Sequence, residues 1–138
     1  APKLAMDIVT KVRANIPGFP LVMHGSSSVP KELVDKVNLY GGKMPNAMGV
    51  PISAIQEAIK LGVNKINVDT DGRLVITGTI REIFAKSPEK FDPRDYLAPA
   101  RENLKVLIVS KMKDFGTAGH AKDYAPKSLD DMKKVYGY

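Results

Sequence analysis

His24 stands at the end of the short apolar run that enters the stretch Pro20-Leu21-Val22-Met23-His24-Gly25-Ser26-Ser27-Ser28-Val29-Pro30. A second run, Val63-Asn64-Lys65-Ile66-Asn67-Val68-Asp69-Thr70-Asp71-Gly72-Arg73, ends in polar residues of complementary chemistry. An imidazole can ligate a metal or carry a proton near neutral pH. A carboxamide offers donor and acceptor together and a carboxylate accepts strongly, so Asn67 and Asp69 suit sugar hydroxyls. Gly25, Ser26, Ser27 and Ser28 place small donors before a helix, where free amides suit phosphate, and Thr70 does the same at a second helix start. Arg73 and Arg94 can each grip a phosphate with the guanidinium fork. Each group also has a plainer reading. His24 can be hydrogen-bonded in a polar loop, the serines can be ordinary caps, Asn67 and Asp69 a turn-capping pair, and the arginines solvent-facing ion pairs. The other histidine, His120, stands in a glycine-containing loop and is read as structural.

Both runs have the form of a short apolar strand that passes through polar residues into a helix. With a period of two, Ile66 and Val68 share one face of the second strand while Asn67 and Asp69 share the other. Ligands of α/β sheets gather at the carboxyl ends of strands, so the two strand ends are read as one site.

The remaining elements follow from periodicity and punctuation. A helix is expected over 4–16, a strand over 21–23, a helix over 30–40 and a loop over 43–50. Pro51 opens a third helix with Gly62 as its C-cap, and a strand over 63–68 follows. Gly72 allows a turn into a helix over 74–85, held by Ile76, Ile80 and Phe84. Asp92-Pro93-Arg94-Asp95 reads as a tight turn presenting an arginine. Pro99 opens a long helix to about residue 114, with Leu104, Leu107, Ile108 and Met112 as its apolar side. Ser128 caps a short last helix. This alternation implies an α/β fold with a parallel sheet covered by helices. Two strands cannot close a barrel and leave an edge, so the chain reads as the end of a larger α/β domain.

The chain has 138 residues, a formal net charge of +6 and no cysteine. No disulfide or cysteine-based zinc site is therefore possible, which fits a reducing compartment, and the chain is read as cytoplasmic. No apolar stretch reaches membrane-spanning length, and no signal-peptide core follows the amino terminus. The lysines are scattered rather than gathered with aromatics, which argues against nucleic acid as partner.

Together the two runs and the segment Phe91-Asp92-Pro93-Arg94-Asp95-Tyr96-Leu97-Ala98-Pro99-Ala100-Arg101 resemble the class II, metal-dependent fructose-1,6-bisphosphate aldolases, a group that includes tagatose-bisphosphate enzymes. The resemblance runs through essentially the whole chain. It implies a (β/α)8 TIM barrel, of which 1–86 would be the last two βα units and 87–138 an inter-subunit loop with C-terminal helices. It implies that His24 is the last histidine ligand of a catalytic Zn2+. Gly25 and Ser27 would hold the phosphate of dihydroxyacetone phosphate, with Asp69 and Thr70 completing the cradle. Asn67 would contact the reacting end of the substrate as a catalytic residue. Arg73 would lie near the distal phosphate, Arg94 would be lent to that phosphate by a neighbouring subunit, and Asp92 would lie beside it. A monovalent cation, Na+ or K+, is common near the phosphate in relatives. The implied reaction is reversible aldol cleavage of fructose 1,6-bisphosphate to dihydroxyacetone phosphate and glyceraldehyde 3-phosphate, in a homodimer or higher homo-oligomer. The other metal ligands would belong to an N-terminal part of the same barrel, so the chain alone is expected to be inactive. A tagatose-bisphosphate aldolase and a non-catalytic, phosphate-binding half-barrel are the alternatives.

Overall fold

The computed structural model describes residues 3–138. In order run α1 (Met6–Asn15), β1 (Leu21–Met23), α2 (Lys31–Leu39), α3 (Ile52–Lys60), β2 (Val63–Ile66), α4 (Thr70–Lys86), α5 (Pro93–Asp114) and α6 (Leu129–Tyr136), with a 3-10 turn at Ala121–Asp123. β1 and β2 pair in parallel, Val22 beside Lys65 and Met23 beside Ile66. The Asn67 amide carries the ladder one residue further by donating to the Met23 carbonyl at 3.0 Å. Where the register slips between Leu21 and Val22, the Asn64 side chain accepts from the Leu21 amide at 3.0 Å. The sheet of the described residues is thus an open parallel pair with helices packed around it. Among the described residues no helix is long and apolar enough to cross a membrane.

Proline and glycine frame the early helices. Pro30 and Pro51 occupy N-caps with φ −56° and −57° and extended ψ, one residue ahead of the helical position expected for them. Gly62 follows the α3 C-cap at φ +108°, and a Cβ there would stand 2.9 Å from Arg13 Nε. The glycine therefore serves both the left-handed turn and the approach of α1.

Three expectations are corrected. β2 stops at Ile66 rather than at Val68, and α4 starts at Thr70 rather than at Leu74, with Gly72 inside it. The reason is a cap from another segment: Ser27 Oγ accepts from the Asp69 and Thr70 amides at 3.2 and 3.1 Å. Second, α4 buries Leu74, Val75, Gly78 and Thr79, whereas Phe84 is exposed and Ile76 and Ile80 are half-buried. Gly78 lets α2 come close, since a Cβ on it would lie 3.4 Å from Val37 and 3.5 Å from Lys36. Third, Asp92-Pro93-Arg94-Asp95 is a helix start, not a tight turn. Asp92 is the N-cap, its carboxylate accepting from the Arg94 amide at 2.9 Å, and Pro99 falls inside α5. The inward stripe of α5 is Ala100, Leu104, Leu107 and Lys111, while Ile108 and Met112 are exposed.

α4 and α5 form an antiparallel hairpin. Phe84 meets Tyr96 edge-on with centroids 4.9 Å apart, Asn103 donates to Thr79 Oγ1 at 3.0 Å, and Lys111 pairs with Asp71 at 2.8 Å. On its other side α4 packs on α2, where Val34, Val37 and Leu74 form a core lined by Val29, Leu33, Met44 and Ala47. α6 is closed as expected by a capping box, Ser128 Oγ accepting from the Asp131 amide and the Asp131 carboxylate from the Ser128 amide.

Glu82 ties α2 to α4 through Lys36 at 2.5 Å and holds Lys86 at 2.6 Å. Lys36 first, then Lys86, draws its carboxyl from the ordinary 4.5 down to about 2. A depressed carboxyl stabilises the fold above its unfolded value and ceases to do so as pH falls through its folded one. Chemical denaturation of Glu82→Gln should therefore show lower stability than wild type at neutral pH, with the difference shrinking as pH falls from 4.5 towards 2. A constant difference across that window would contradict this account.

Candidate active site

His24 follows β1 and Asn67 follows β2, and the parallel pairing sets them side by side. Asn67 Nδ2 stands 3.0 Å from His24 Nδ1, while Lys65 Nζ meets Asn67 Oδ1. An ammonium has donors only, so the Asn67 oxygen faces Lys65 and its nitrogen faces the ring. Nδ1 of His24 then accepts, and the neutral ring carries its proton on Nε2. His24 is exposed and Asn67 half-buried, so the pair opens to solvent.

Next to this pair the loop after β1 closes over the start of α4. Both lone pairs of the Ser27 hydroxyl are engaged by the Asp69 and Thr70 amides, which leaves its proton as a directed donor. Gly25 takes φ +64° with open space where a Cβ would be, so a ligand can approach the backbone there. Ser26 is fully buried and donates to the His24 carbonyl at 3.1 Å, fixing the turn that follows the imidazole. Asp69 and Arg73 pair at 2.5 Å on the exposed first turn of α4. His24, Gly25, Ser27, Asn67, Asp69, Thr70 and Arg73 thus lie around two neighbouring strand ends.

Asp92 and Arg94 do not join them. They pair at 2.5 Å at the start of α5, beside an open hollow of about 380 Å³ lined by Pro93, Arg94, Leu97, Ala98 and Arg101. Because the hairpin is antiparallel, this is the end of α4 remote from Thr70. The intervening helix has 17 residues, a length of about 25 Å. His120 pairs with Asp123 at 2.6 Å in the 3-10 turn, the structural role expected for it.

Residue-type reasoning passed over the group that holds this site in shape. Asp71 is fully buried and accepts from the Ser28 amide at 3.1 Å, the Ser28 hydroxyl at 2.8 Å, the Val29 amide at 2.8 Å and Lys111 Nζ at 2.8 Å. Burial raises its pKa, but Lys111, the Val29 amide and Ser28 outweigh that and hold it below the ordinary 3.8. Val29 is bent to φ +46°, a costly conformation for a β-branched residue, with its amide on this carboxylate. Gly49 was also missed. A Cβ on it would stand 2.3 Å from the Ser27 carbonyl oxygen and 2.4 Å from the Ser28 carbonyl carbon, while the Val50 amide donates to Ser27 at 3.0 Å. The available signal for Lys111 was its place on the stripe 100, 104, 107, 111, where a lysine among apolar positions calls for a buried anion.

The His24 imidazole is good zinc chemistry, but among the described residues no three His, Asp, Glu or Cys side chains stand together as a metal-holding group. His24 would fit zinc as a single ligand, and its companions would have to come from outside the described residues.

Two parallel strand ends, a helix start capped by a serine, and an imidazole with a carboxamide thus meet at one end of an α/β sheet. The family model "Fructose-bisphosphate aldolase class-II" matches residues 1–120. The chain is 55% identical over 134 residues to a fructose-bisphosphate aldolase of Giardia intestinalis, covering 97% of this chain and 41% of that protein. It is 45% identical over 133 residues to fructose-bisphosphate aldolase 2 of Cereibacter sphaeroides, covering 96% and 38%. With a fructose-bisphosphate aldolase of Nostoc commune the identity is 44% over 133 residues, covering 96% and 37%. The chain belongs to the class II fructose-bisphosphate aldolase family. It spans about two fifths of the length of these curated relatives.

Gly49→Ala should destabilise the protein by about 1–3 kcal/mol, because the added methyl meets backbone atoms that cannot swing away. Urea denaturation measures it. A midpoint equal to that of wild type would mean that the 43–50 loop is not held against Ser27 and Ser28.

Proposed function

We propose that this chain supplies the last two βα units and C-terminal helices of a class II ketose-bisphosphate aldolase barrel, which reversibly cleaves fructose 1,6-bisphosphate to dihydroxyacetone phosphate and glyceraldehyde 3-phosphate. The observation that carries the reading is the His24–Asn67 contact at 3.0 Å beside the Ser27 hydroxyl that caps α4, in a chain of this family. The homologues' name is the ground for choosing fructose over tagatose bisphosphate.

Ser27 donates its remaining proton to a phosphate oxygen of dihydroxyacetone phosphate. Gly25 lets the phosphate approach the backbone, and Thr70 adds the hydroxyl of the first residue of α4. Holding the phosphate fixes the three-carbon unit, so binding energy orients the bond that forms or breaks. Asn67 presents its amide to the hydroxyl and carbonyl oxygens at the reacting end, with Lys65 setting which way the amide faces. Asp69, placed by its pair with Arg73, accepts from sugar hydroxyls. A zinc ion held in part by His24 supplies Lewis acidity at the carbonyl. Arg94 serves the distal phosphate of a neighbouring subunit's site, a role its distance from Ser27 favours, and this makes a homodimer or higher homo-oligomer part of the working enzyme.

The isolated chain should neither cleave the bisphosphate nor bind zinc tightly, and tight stoichiometric binding in a zinc titration would refute the division of ligands. In the complete barrel, Asn67→Ala should lower kcat by about 10²-fold, the scale for losing one donor at a developing charge. Ser27→Ala should instead raise KM by roughly tenfold. Steady-state kinetics with coupled detection of triose phosphate reads both, and a complete barrel without bisphosphate cleavage would overturn the proposal.

A further inference from the structure

We propose that Lys111, carried by the end of α5 remote from Arg94 and outside the two strand ends that form the site, is a positioning residue for phosphate: through Asp71 and Ser28 it sets the loop that presents Ser27. The inference rests on the aldolase reading above for the identity of the phosphate. Its own ground is the network. Lys111 is almost fully buried and places Nζ 2.8 Å from Asp71 Oδ2 and 2.6 Å from Ser28 Oγ. Ser28 Oγ donates in turn to Asp71 Oδ2 at 2.8 Å. The other two donors to this carboxylate are the successive amides of Ser28 and Val29. Among the described residues the buried pair therefore spends its side-chain hydrogen bonds on each other and on the two residues that follow Ser27.

A buried ion pair is a poor way to gain stability, since apolar residues of similar volume commonly do as well or better. What this pair does that an apolar pair cannot is hold two consecutive backbone amides in one direction. That direction bends Val29 to φ +46° and turns Ser27 onto the start of α4. From the other side, Gly49 and the Val50 amide lie against the Ser27 and Ser28 backbone. Without the ammonium, Asp71 is a buried carboxylate lacking its counter-charge. It is then driven to protonate or to admit water, and either change loosens its grip on the two amides. Loosening moves the Ser27 hydroxyl, which acts on the phosphate, and leaves the His24–Asn67 end in place. Lys111 should thus affect phosphate affinity more than turnover.

The test is made in the complete enzyme with Lys111→Met and Lys111→Arg, reading KM for fructose 1,6-bisphosphate, kcat, and the dissociation constant of inorganic phosphate by calorimetry. Lys111→Met should weaken inorganic phosphate and raise KM by roughly tenfold while kcat changes by less than about threefold, the signature of lost substrate binding. Lys111→Arg, which keeps the charge, should recover most of the loss. A folded Lys111→Met enzyme with wild-type phosphate binding and KM overturns the proposal, whatever its melting temperature. If Lys111→Met does not fold, the neutral double variant Asp71→Asn/Lys111→Met takes its place. It should show the same weakening, and wild-type phosphate binding in it overturns the proposal equally. A wild-type enzyme that binds inorganic phosphate but does not cleave the bisphosphate would refute the aldolase reading alone, since the effect of Lys111 on phosphate is measured independently of turnover.

Discussion

A carboxylate sealed from water is tolerated only when donors surround it, and the folding of this chain around its strand ends follows from that requirement at Asp71. The four donors come from two places in the sequence, the loop after β1 and the far end of α5, and the carboxylate itself stands in the first turn of α4. Satisfying it therefore fixes the relative positions of all three. The loop bends through Val29, the start of α4 comes under Ser27, and α5 must run antiparallel to α4 for Lys111 to arrive. The apolar core of Val34, Val37 and Leu74 sets how α2 lies on α4, but oily contacts carry no direction. The carboxylate supplies that direction at the place where chemistry needs it.

The same hairpin decides where two of the arginines stand. Arg73 sits one turn into α4, near the cradle, and is held by Asp69. Arg94 sits at the opposite end of the hairpin, with Asp92 both capping α5 and anchoring its guanidinium. A side chain spans only a fraction of the roughly 25 Å between those ends. Arg73 thus stands beside the Ser27 loop of the same chain, whereas Arg94 is presented outward on an exposed surface. An arginine pre-oriented by a carboxylate and facing away from its own site is suited to act on another molecule.

Much of this was legible in sequence, and the rest was hidden for identifiable reasons. The strand at Leu21–Met23 and the α3 frame between Pro51 and Gly62 followed from local punctuation, because proline and glycine act through their own backbones. The clustering of His24, Ser27, Asn67, Asp69 and Thr70 followed from placing two strand ends together. The early start of α4 was not legible, because its cap is Ser27, some forty residues away in sequence. The start of α5 was misread because Asp-Pro serves a turn and an N-cap equally well. Only continuation of the helix past Pro99, secured by packing against α4, decides between them. The buried face of α4 was misread in favour of its largest residues. Packing buries instead Leu74 and Val75 with the small Gly78, which lies against α2, and Thr79, which meets Asn103 of α5.

The strand ends also show how a weak contact can be made specific. A carboxamide turned by 180° exchanges donor for acceptor, so Asn67 alone would present either atom to His24. Lys65, two residues earlier on the same face of β2, cannot accept a hydrogen bond and so selects the orientation with nitrogen toward the ring. The ring then has its Nδ1 lone pair in use and its proton on Nε2. A cation approaching Nδ1 must compete with one amide hydrogen bond, whereas one approaching Nε2 must first displace a proton. A metal held by His24 would therefore be coupled to Asn67. Lys65 thereby keeps the amide nitrogen directed at the space between the two strand ends, beside the imidazole.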